Sequence, residues 1–291
     1  VEKAKETDAE LVMASDPDAD RVGAAVKNNE GEWVLLNGNQ TALMFVYYLI
    51  TRWKELGKIN GKEYIVKTIV TTETIKTIAE RNGVEMYDVY TGFKWIANVM
   101  RENEGKKNYI GGGEESYGFL CEDFVRDKDA VSACVILAEI AAWAKDQGLS
   151  LYQLLQKIYV EYGFSKEKGI SVVKKGKSGA EEIEAMMKKF RENPLTEIAG
   201  SKVTYFYDYS TLKGKDYAEN ETVTLDMPTT SNVLQYFTED NTKVSIRPSG
   251  TEPKIKFYCE VHSKVKNIDE LPEAEKAAEE KINQIKASLG I

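Results

Sequence analysis

Tyr64-Ile65-Val66-Lys67-Thr68-Ile69-Val70, followed at once by Thr71-Thr72, is the stretch that decides the fold class. The run has strand length and is rich in β-branched residues, and the hydroxyl pair behind it opens a helix. A helical pattern from about Thr41 to Leu56, ended by Gly57, comes before it. After it, a helix stops near Gly83, Val84 to Tyr90 reads as the next strand, and Thr91-Gly92-Phe93-Lys94-Trp95 turns into another helix. Asn108-Tyr109-Ile110 is a short strand feeding the glycine-rich run Gly111-Gly112-Gly113-Glu114-Glu115-Ser116-Tyr117-Gly118. Strands alternating with helices imply a parallel α/β sheet. Two helices close the domain, and in the second Ser150 caps an apolar stripe of Leu151, Leu154, Leu155, Ile158 and Tyr162.

Upstream, Glu10 to Ala14 is a short apolar strand that runs into Ser15-Asp16-Pro17-Asp18-Ala19-Asp20-Arg21-Val22-Gly23. Return strands follow at Val22 to Val26 and Glu32 to Leu36, too little to bury both faces of a sheet, so residues 1–38 read as the end of a larger domain. Val1 is not a methionine and no signal-peptide core follows it, so the chain reads as an excised piece. Downstream, the character changes near Gly163 to Lys168. A helix from Ser178 to Arg191 is stopped by Pro194, and Lys202 to Tyr209, Glu221 to Leu225, Val233 to Phe237 and Lys243 to Ile246 read as strands. Lys254 to Val261 alternates, with Ile255, Phe257, Cys259 and Val261 on one face and Lys254, Lys256, Tyr258 and Glu260 on the other. A charged helix from about Asp269 to Ser288 completes an α+β domain with an antiparallel sheet covered on one face. The expected organisation is therefore 1–38, 39–163 and 164–291.

Composition narrows the chemistry. A formal charge of -8 argues against a nucleic-acid binder. The single histidine, His262, lies at the end of a strand and is taken as structural, which leaves no Ser-His-Asp triad, no H-E-x-x-H and no zinc motif. Cys121, Cys134 and Cys259 form neither a C-x-x-C nor a disulfide framework, which fits a reducing cytoplasm. Leu43 to Ile50 and Ala130 to Ala144 read as buried helices and not as membrane spans.

Three loops carry the candidate chemistry. Asp16, Asp18 and Asp20 at a strand's carboxyl end would repel unless a cation lay between them, and oxygen-only ligands suit Mg²⁺; the plain alternative is an acidic surface loop with Asp20 paired to Arg21. Glu114, Glu115 and Ser116 on a glycine-rich backbone can match adjacent sugar hydroxyls, or can be solvated acids on a connector. In Arg247-Pro248-Ser249-Gly250-Thr251-Glu252-Pro253 a guanidinium fork, two hydroxyls and a close-approaching Gly250 backbone favour phosphate; an ordinary Pro/Gly/Ser turn is the alternative. Lys94 and Lys128 can stand beside a phosphate as point charges or move a proton. Together the loops describe a phosphosugar cleft.

With these motifs in order across nearly the whole chain, the sequence resembles the carboxyl-terminal half of an α-D-phosphohexomutase of the phosphoglucomutase/phosphomannomutase family. Asp16 to Gly23 resembles its magnesium loop, Thr91 to Trp95 its T-G-F-K-W segment, Glu114 to Gly118 its sugar loop and Arg247 to Lys254 its phosphate loop. The resemblance implies the end of domain two, all of domain three and all of domain four. It implies that Asp16, Asp18 and Asp20 hold Mg²⁺ with Arg21 beside a phosphoserine. Thr91, Gly92, Glu114, Ser116, Arg247, Ser249, Gly250 and Thr251 would bind substrate, and Lys94 and Lys128 would be the cleft lysines. Glucose 1-phosphate and glucose 6-phosphate would interconvert through glucose 1,6-bisphosphate. The family's T-A-S-H-N-P-type serine loop does not occur here, so the expected partner is the missing amino-terminal half, and the chain alone is expected to be inactive. The competing readings are a sister phosphomannomutase, phosphopentomutase or sugar-bisphosphate synthase, a haloacid-dehalogenase-like phosphatase using Asp16, and a non-catalytic phosphosugar-binding module.

Overall fold

The computed structural model describes residues 1–174, 176–250 and 252–291, without the side chain of residue 177. The chain divides into two compact units, Val1–Gly163 and Phe164–Ile291.

The first unit begins with α1 (Glu2–Glu6) and an antiparallel meander of β1 (Leu11–Ser15), β2 (Val22–Lys27) and β3 (Trp33–Leu36). Helix α2 (Gly38–Glu55) starts at a reciprocal cap: the Asn37 side chain accepts from the Gln40 amide at 2.9 Å, and the Gln40 side chain accepts from the Asn37 amide at 3.0 Å. β4 (Glu63–Thr68), α3 (Thr74–Arg81), β5 (Glu85–Val89), α4 (Phe93–Asn103), β6 (Asn108–Gly113) and β7 (Phe119–Cys121) follow. These strands make a sheet of order β5-β4-β6-β7, with β4 parallel to β5 and β6 and β7 antiparallel at the edge. On one side of it Tyr64, Val66, Val89, Phe93, Ile96, Met100, Tyr109 and Leu120 form a buried cluster. α5 (Ala130–Asp146) and α6 (Leu151–Tyr162) complete the unit, and Ser150 caps α6 through the Gln153 amide as the sequence implied.

The second unit contains β8 (Phe164–Val173), α7 (Gly176–Glu192), the short β9 (Glu197–Ile198), β10 (Ser201–Asp208), β11 (Lys213–Asp216), β12 (Glu221–Thr224), β13 (Leu234–Thr238), β14 (Lys243–Pro248), β15 (Lys254–Ser263) and α8 (Leu271–Leu289). Its sheet has the order β12-β11-β10-β13-β14-β15-β8, all antiparallel, with β9 against β10. Ile255, Phe257, Cys259 and Val261 are all buried, as their alternation requires. Among the described residues no helix is long and apolar enough to cross a membrane.

The structure corrects several sequence expectations. The strand expected at Asn108–Ile110 runs on through Gly111, Gly112 and Gly113, which pair with β4 and β7 as part of β6. A Cβ at Gly112 would lie 2.4 Å from the Val66 carbonyl oxygen. β8, with its lysines, serine and glycine, carries no apolar alternation, yet it pairs with β15 along its whole length. α5 is not buried all round, since Val131 and Val135 are exposed. Glu260, assigned to the polar face, is 3% exposed. It is retained inside by Lys243 Nζ at 2.9 Å and His262 Nε2 at 2.7 Å. Burial alone would push the Glu260 carboxyl up, but these two cations hold it well below the usual carboxylate range.

Candidate functional site

In the first unit the acidic turn is shaped by its own backbone. The Asp16 amide donates to the Arg21 carbonyl at 3.3 Å and the Ala19 amide to the Asp16 carbonyl at 3.0 Å, with Ala19 at φ +56°. Asp16 Oδ1 accepts from the Asp20 amide at 3.1 Å and the Arg21 amide at 3.2 Å. Loss of water around Asp16 is outweighed by these amides, which hold its carboxyl below the ordinary value. The expectation that the three carboxylates converge is not met. Asp16 is turned onto the backbone and Asp18 is exposed, and among the described residues no three His, Cys, Asp or Glu side chains form a group able to hold a metal. The donor chemistry nevertheless fits Mg²⁺: Asp20 Oδ1 is buried with no hydrogen-bond partner, an oxygen suited to a hard cation.

The other Asp20 oxygen meets Lys128, from the segment between β7 and α5. Its Nζ lies 2.7 Å from Asp20 Oδ2, with the two side chains 13% and 26% exposed. Burial pulls the Lys128 ammonium down, but Asp20, Asp127 and Glu114 outweigh it, so the pKa stands above the ordinary lysine value. Arg21 Nε is 3.8 Å from Asp20 Oδ1. The acidic turn is also tied to its neighbours through backbone. The Val22 amide donates to the Tyr117 carbonyl at 3.1 Å, Arg21 and Gly118 form an antiparallel bridge, and the Ala130 amide donates to the Ala19 carbonyl at 3.0 Å.

The loop after β6 closes through the Glu114 amide, which donates to the Gly118 carbonyl at 2.9 Å, and Tyr117 takes φ +74° inside it. Glu114 is buried, and its Oε1 accepts from the Gly92 amide at 2.7 Å, which joins the sugar-loop candidate to the turn that starts α4. Gly118 leaves room for Lys128: a Cβ there would lie 2.5 Å from Lys128 Cδ and 3.5 Å from Glu114 Oε2. Asp20, Arg21, Gly92, Glu114 and Lys128 are therefore brought together. Thr91 and Ser116 are half-buried in the same two loops, while Lys94 is exposed on α4 with its Nζ 5.1 Å from the Trp95 ring centroid. Sequence reasoning missed Thr68 and Thr71, which bond to Glu115; the threonine-rich run behind β4 was the available signal.

In the second unit the turn between β14 and β15 is closed by the Ser249 amide on the Lys254 carbonyl at 2.8 Å and the Glu252 amide on Ser249 Oγ at 3.3 Å. A hollow of about 250 Å³ is lined by Arg247, Pro248, Ser249, Glu252, Lys254 and Lys256. Arg247 and Lys256 are cross-strand partners, so Lys256, which sequence reasoning placed only on a polar face, adds a second cation beside the guanidinium. Lys254 lies 2.5 Å from Glu252 Oε2 and holds that carboxyl below its usual value. Gly250 is open: a Cβ there would meet nothing within 4 Å, so the protein itself imposes no close approach. Thr251 lies outside the described residues.

Residues 37–162 match the domain described as phosphoglucomutase/phosphomannomutase, alpha/beta/alpha domain III, and residues 172–278 match the C-terminal domain of the same family. The chain belongs to the phosphoglucomutase/phosphomannomutase family. Phosphoglucomutase of Staphylococcus aureus (strain USA300) is 38% identical over 271 residues, 93% of this chain and 48% of that protein. Phosphoglucomutase of Staphylococcus haemolyticus (strain JCSC1435) is 33% identical over 262 residues, 90% of this chain and 47% of that one. The chain thus spans about half the length of the curated relatives it matches. Its fold is that of a phosphoglucomutase/phosphomannomutase family protein from Burkholderia thailandensis, at TM-score 0.60 and 18% identity over 100% of this chain and 49% of that one. The open form of pp63/parafusin from Paramecium matches at TM-score 0.57 and 17% identity, over 95% of this chain and 45% of that one.

Proposed function

We propose that this chain supplies the cation, sugar and phosphate contacts of a phosphohexomutase that interconverts hexose 1-phosphate and hexose 6-phosphate, glucose preferred, through a 1,6-bisphosphate. The observation that carries the reading is the meeting of Asp20, Gly92, Glu114 and Gly118, residues from three separate sequence motifs, with Lys128 on one surface of the first unit. The reactive phosphoserine is contributed by polypeptide other than these 291 residues, since no T-A-S-H-N-P-type loop occurs among them.

Asp16, Asp18 and Asp20 would hold Mg²⁺ once the turn rearranges to bring their carboxylates together, Asp20 through Oδ1, which has no hydrogen bond and lies 3.8 Å from Arg21 Nε. When bound, the ion draws charge from a transferring phosphoryl group. Arg21 adds a guanidinium at the same edge. Lys128, charged and shielded from water, offers a proton or a positive field to the oxygen that gains or loses the phosphoryl group; it accepts a proton only after leaving Asp20. Glu114 and Ser116, with Thr91 and Gly92 beside them, read the sugar hydroxyls. Arg247, Ser249, Gly250 and Thr251 grip the phosphate that is not reacting. Lys94 is the second candidate for moving the proton.

A calorimetric titration of glucose 1,6-bisphosphate into the chain, with and without Mg²⁺, tests the binding half of this reading. Saturable, Mg²⁺-dependent binding is expected, with no interconversion of glucose 1- and 6-phosphates by the chain alone. Absence of binding at millimolar ligand would sink it.

A further inference from the structure

The two adjacent acids of the sugar-loop candidate do different work. Glu114 reaches the Gly92 amide, whereas Glu115 faces the turn behind β4. The Glu115 amide donates to Thr71 Oγ1 at 3.2 Å, Thr71 Oγ1 and Thr68 Oγ1 are 2.8 Å apart, and Thr68 Oγ1 donates to Glu115 Oε2 at 3.3 Å. An amide can only donate and a carboxylate can only accept, so the proton direction is fixed throughout. The Glu115 amide gives to Thr71, Thr71 gives to Thr68, and Thr68 gives back to the Glu115 carboxylate. The ring closes on a single residue, and both threonines are fully buried.

Two further contacts brace it. The turn carrying Thr71 is held from below by Lys67, whose buried Nζ lies 2.7 Å from Asp88 Oδ1, 2.9 Å from Glu73 Oε1 and 3.5 Å from the Thr71 carbonyl. The Glu115 carbonyl is pressed against the first turn of α2, where a Cβ on Gly38 would lie only 2.0 Å from its oxygen. Residue 115 is thereby fixed at its amide, carbonyl and carboxylate. Its flanking residues Glu114 and Ser116 start from backbone positions they do not set themselves.

We infer that Glu115, Thr71 and Thr68 are positioning residues, an internal hydrogen-bonded ring that sets the pitch of the 114–118 loop so that Glu114 and Ser116 meet the sugar. This rests on the proposed sugar-reading role of that loop. What the ring requires of Glu115 is an acceptor oxygen. Negative charge is not required.

The test is glucose 1,6-bisphosphate affinity of the 291-residue chain and its variants, with amide hydrogen exchange at residue 115 followed in parallel. Thr71→Val removes the hydroxyl at constant shape and should weaken binding about tenfold, equivalent to about 1.4 kcal/mol, and release protection of the 115 amide. Thr71→Ser, which rebuilds the ring, should bind within about twofold of wild type. Glu115→Ala should match Thr71→Val, and Glu115→Gln, which keeps the acceptor and drops the charge, should bind like wild type. Wild-type affinity in Thr71→Val, or Glu115→Gln as weak as Glu115→Ala, overturns the inference and leaves the loop's sugar role standing. A wild-type chain that binds no bisphosphate overturns both. If Thr71→Val does not fold, the Glu115 pair decides by itself.

Discussion

Lys128 Nζ stands 2.7 Å from Asp20 Oδ2, so a residue proposed to move a proton is bonded to a residue proposed to hold a cation. The ammonium occupies charge that a divalent ion would otherwise meet. Replacing it should therefore have two opposite effects. Lys128→Met is expected to cost about 1–3 kcal/mol of stability in urea denaturation, because Asp20 Oδ2 is left partly buried without its hydrogen-bonded partner. The same variant should bind Mg²⁺ more tightly in a direct titration, as the competing cation is gone. Unchanged or weaker Mg²⁺ binding would show that the ammonium does not compete.

Gly38 marks a contact that has no slack. Adding a methyl group drives it into the Glu115 carbonyl, which is backbone and cannot swing away. Gly38→Ala should lose about 1–3 kcal/mol by overpacking and should bind glucose 1,6-bisphosphate poorly even under conditions where it remains folded. A variant as stable as wild type in thermal denaturation would mean that the loop has room to move.

Arg247 should separate charge from shape. Arg247→Lys keeps the positive charge in the 250 Å³ hollow and loses the fork, so inorganic phosphate binding is expected to weaken about tenfold. Arg247→Gln should weaken it further, with Lys256 retaining a residue of affinity that falls steeply with added salt. Equal affinities for the three proteins would remove Arg247 from the phosphate contacts.

His262 predicts a pH effect confined to the second unit. Burial pulls the imidazole down, but Glu260 and Glu167 overcome this and raise its pKa above the ordinary 6.5. A raised folded value means stability that is fully present below the unfolded value and is lost as pH climbs from about 6.5 through the folded one. Denaturation midpoints of the wild type should therefore fall across that window, and His262→Gln should flatten the fall. A slope unaffected by the substitution would assign the effect to other groups.

How far the sequence could be read depended on whether neighbours in space were neighbours in the pattern. β4 and β15 announce themselves because apolar burial repeats along the strand, and α6 because Ser150 and Gln153 cap within one turn. β8 does not, since its strand character comes from pairing with β15 and not from its own residues. Lys67 lies buried in an apolar strand because Glu73 and Asp88 pair with it, and Glu260, read as part of a polar face, lies buried because Lys243 and His262 do. The motif loops were visible as donor-rich runs. What spacing could not give was which oxygen was already spent: Asp16 on its own turn, Asp20 on Lys128, Glu115 on Thr68.

The short backbone splice in which Val22 donates to Tyr117 and Arg21 bridges to Gly118 joins the turns proposed to hold the cation and to read the sugar. If, at the proposed site, a metal ion strengthens hexose recognition, reciprocity demands that the hexose strengthen metal retention by the same factor, so each affinity depends on whether the other half is filled.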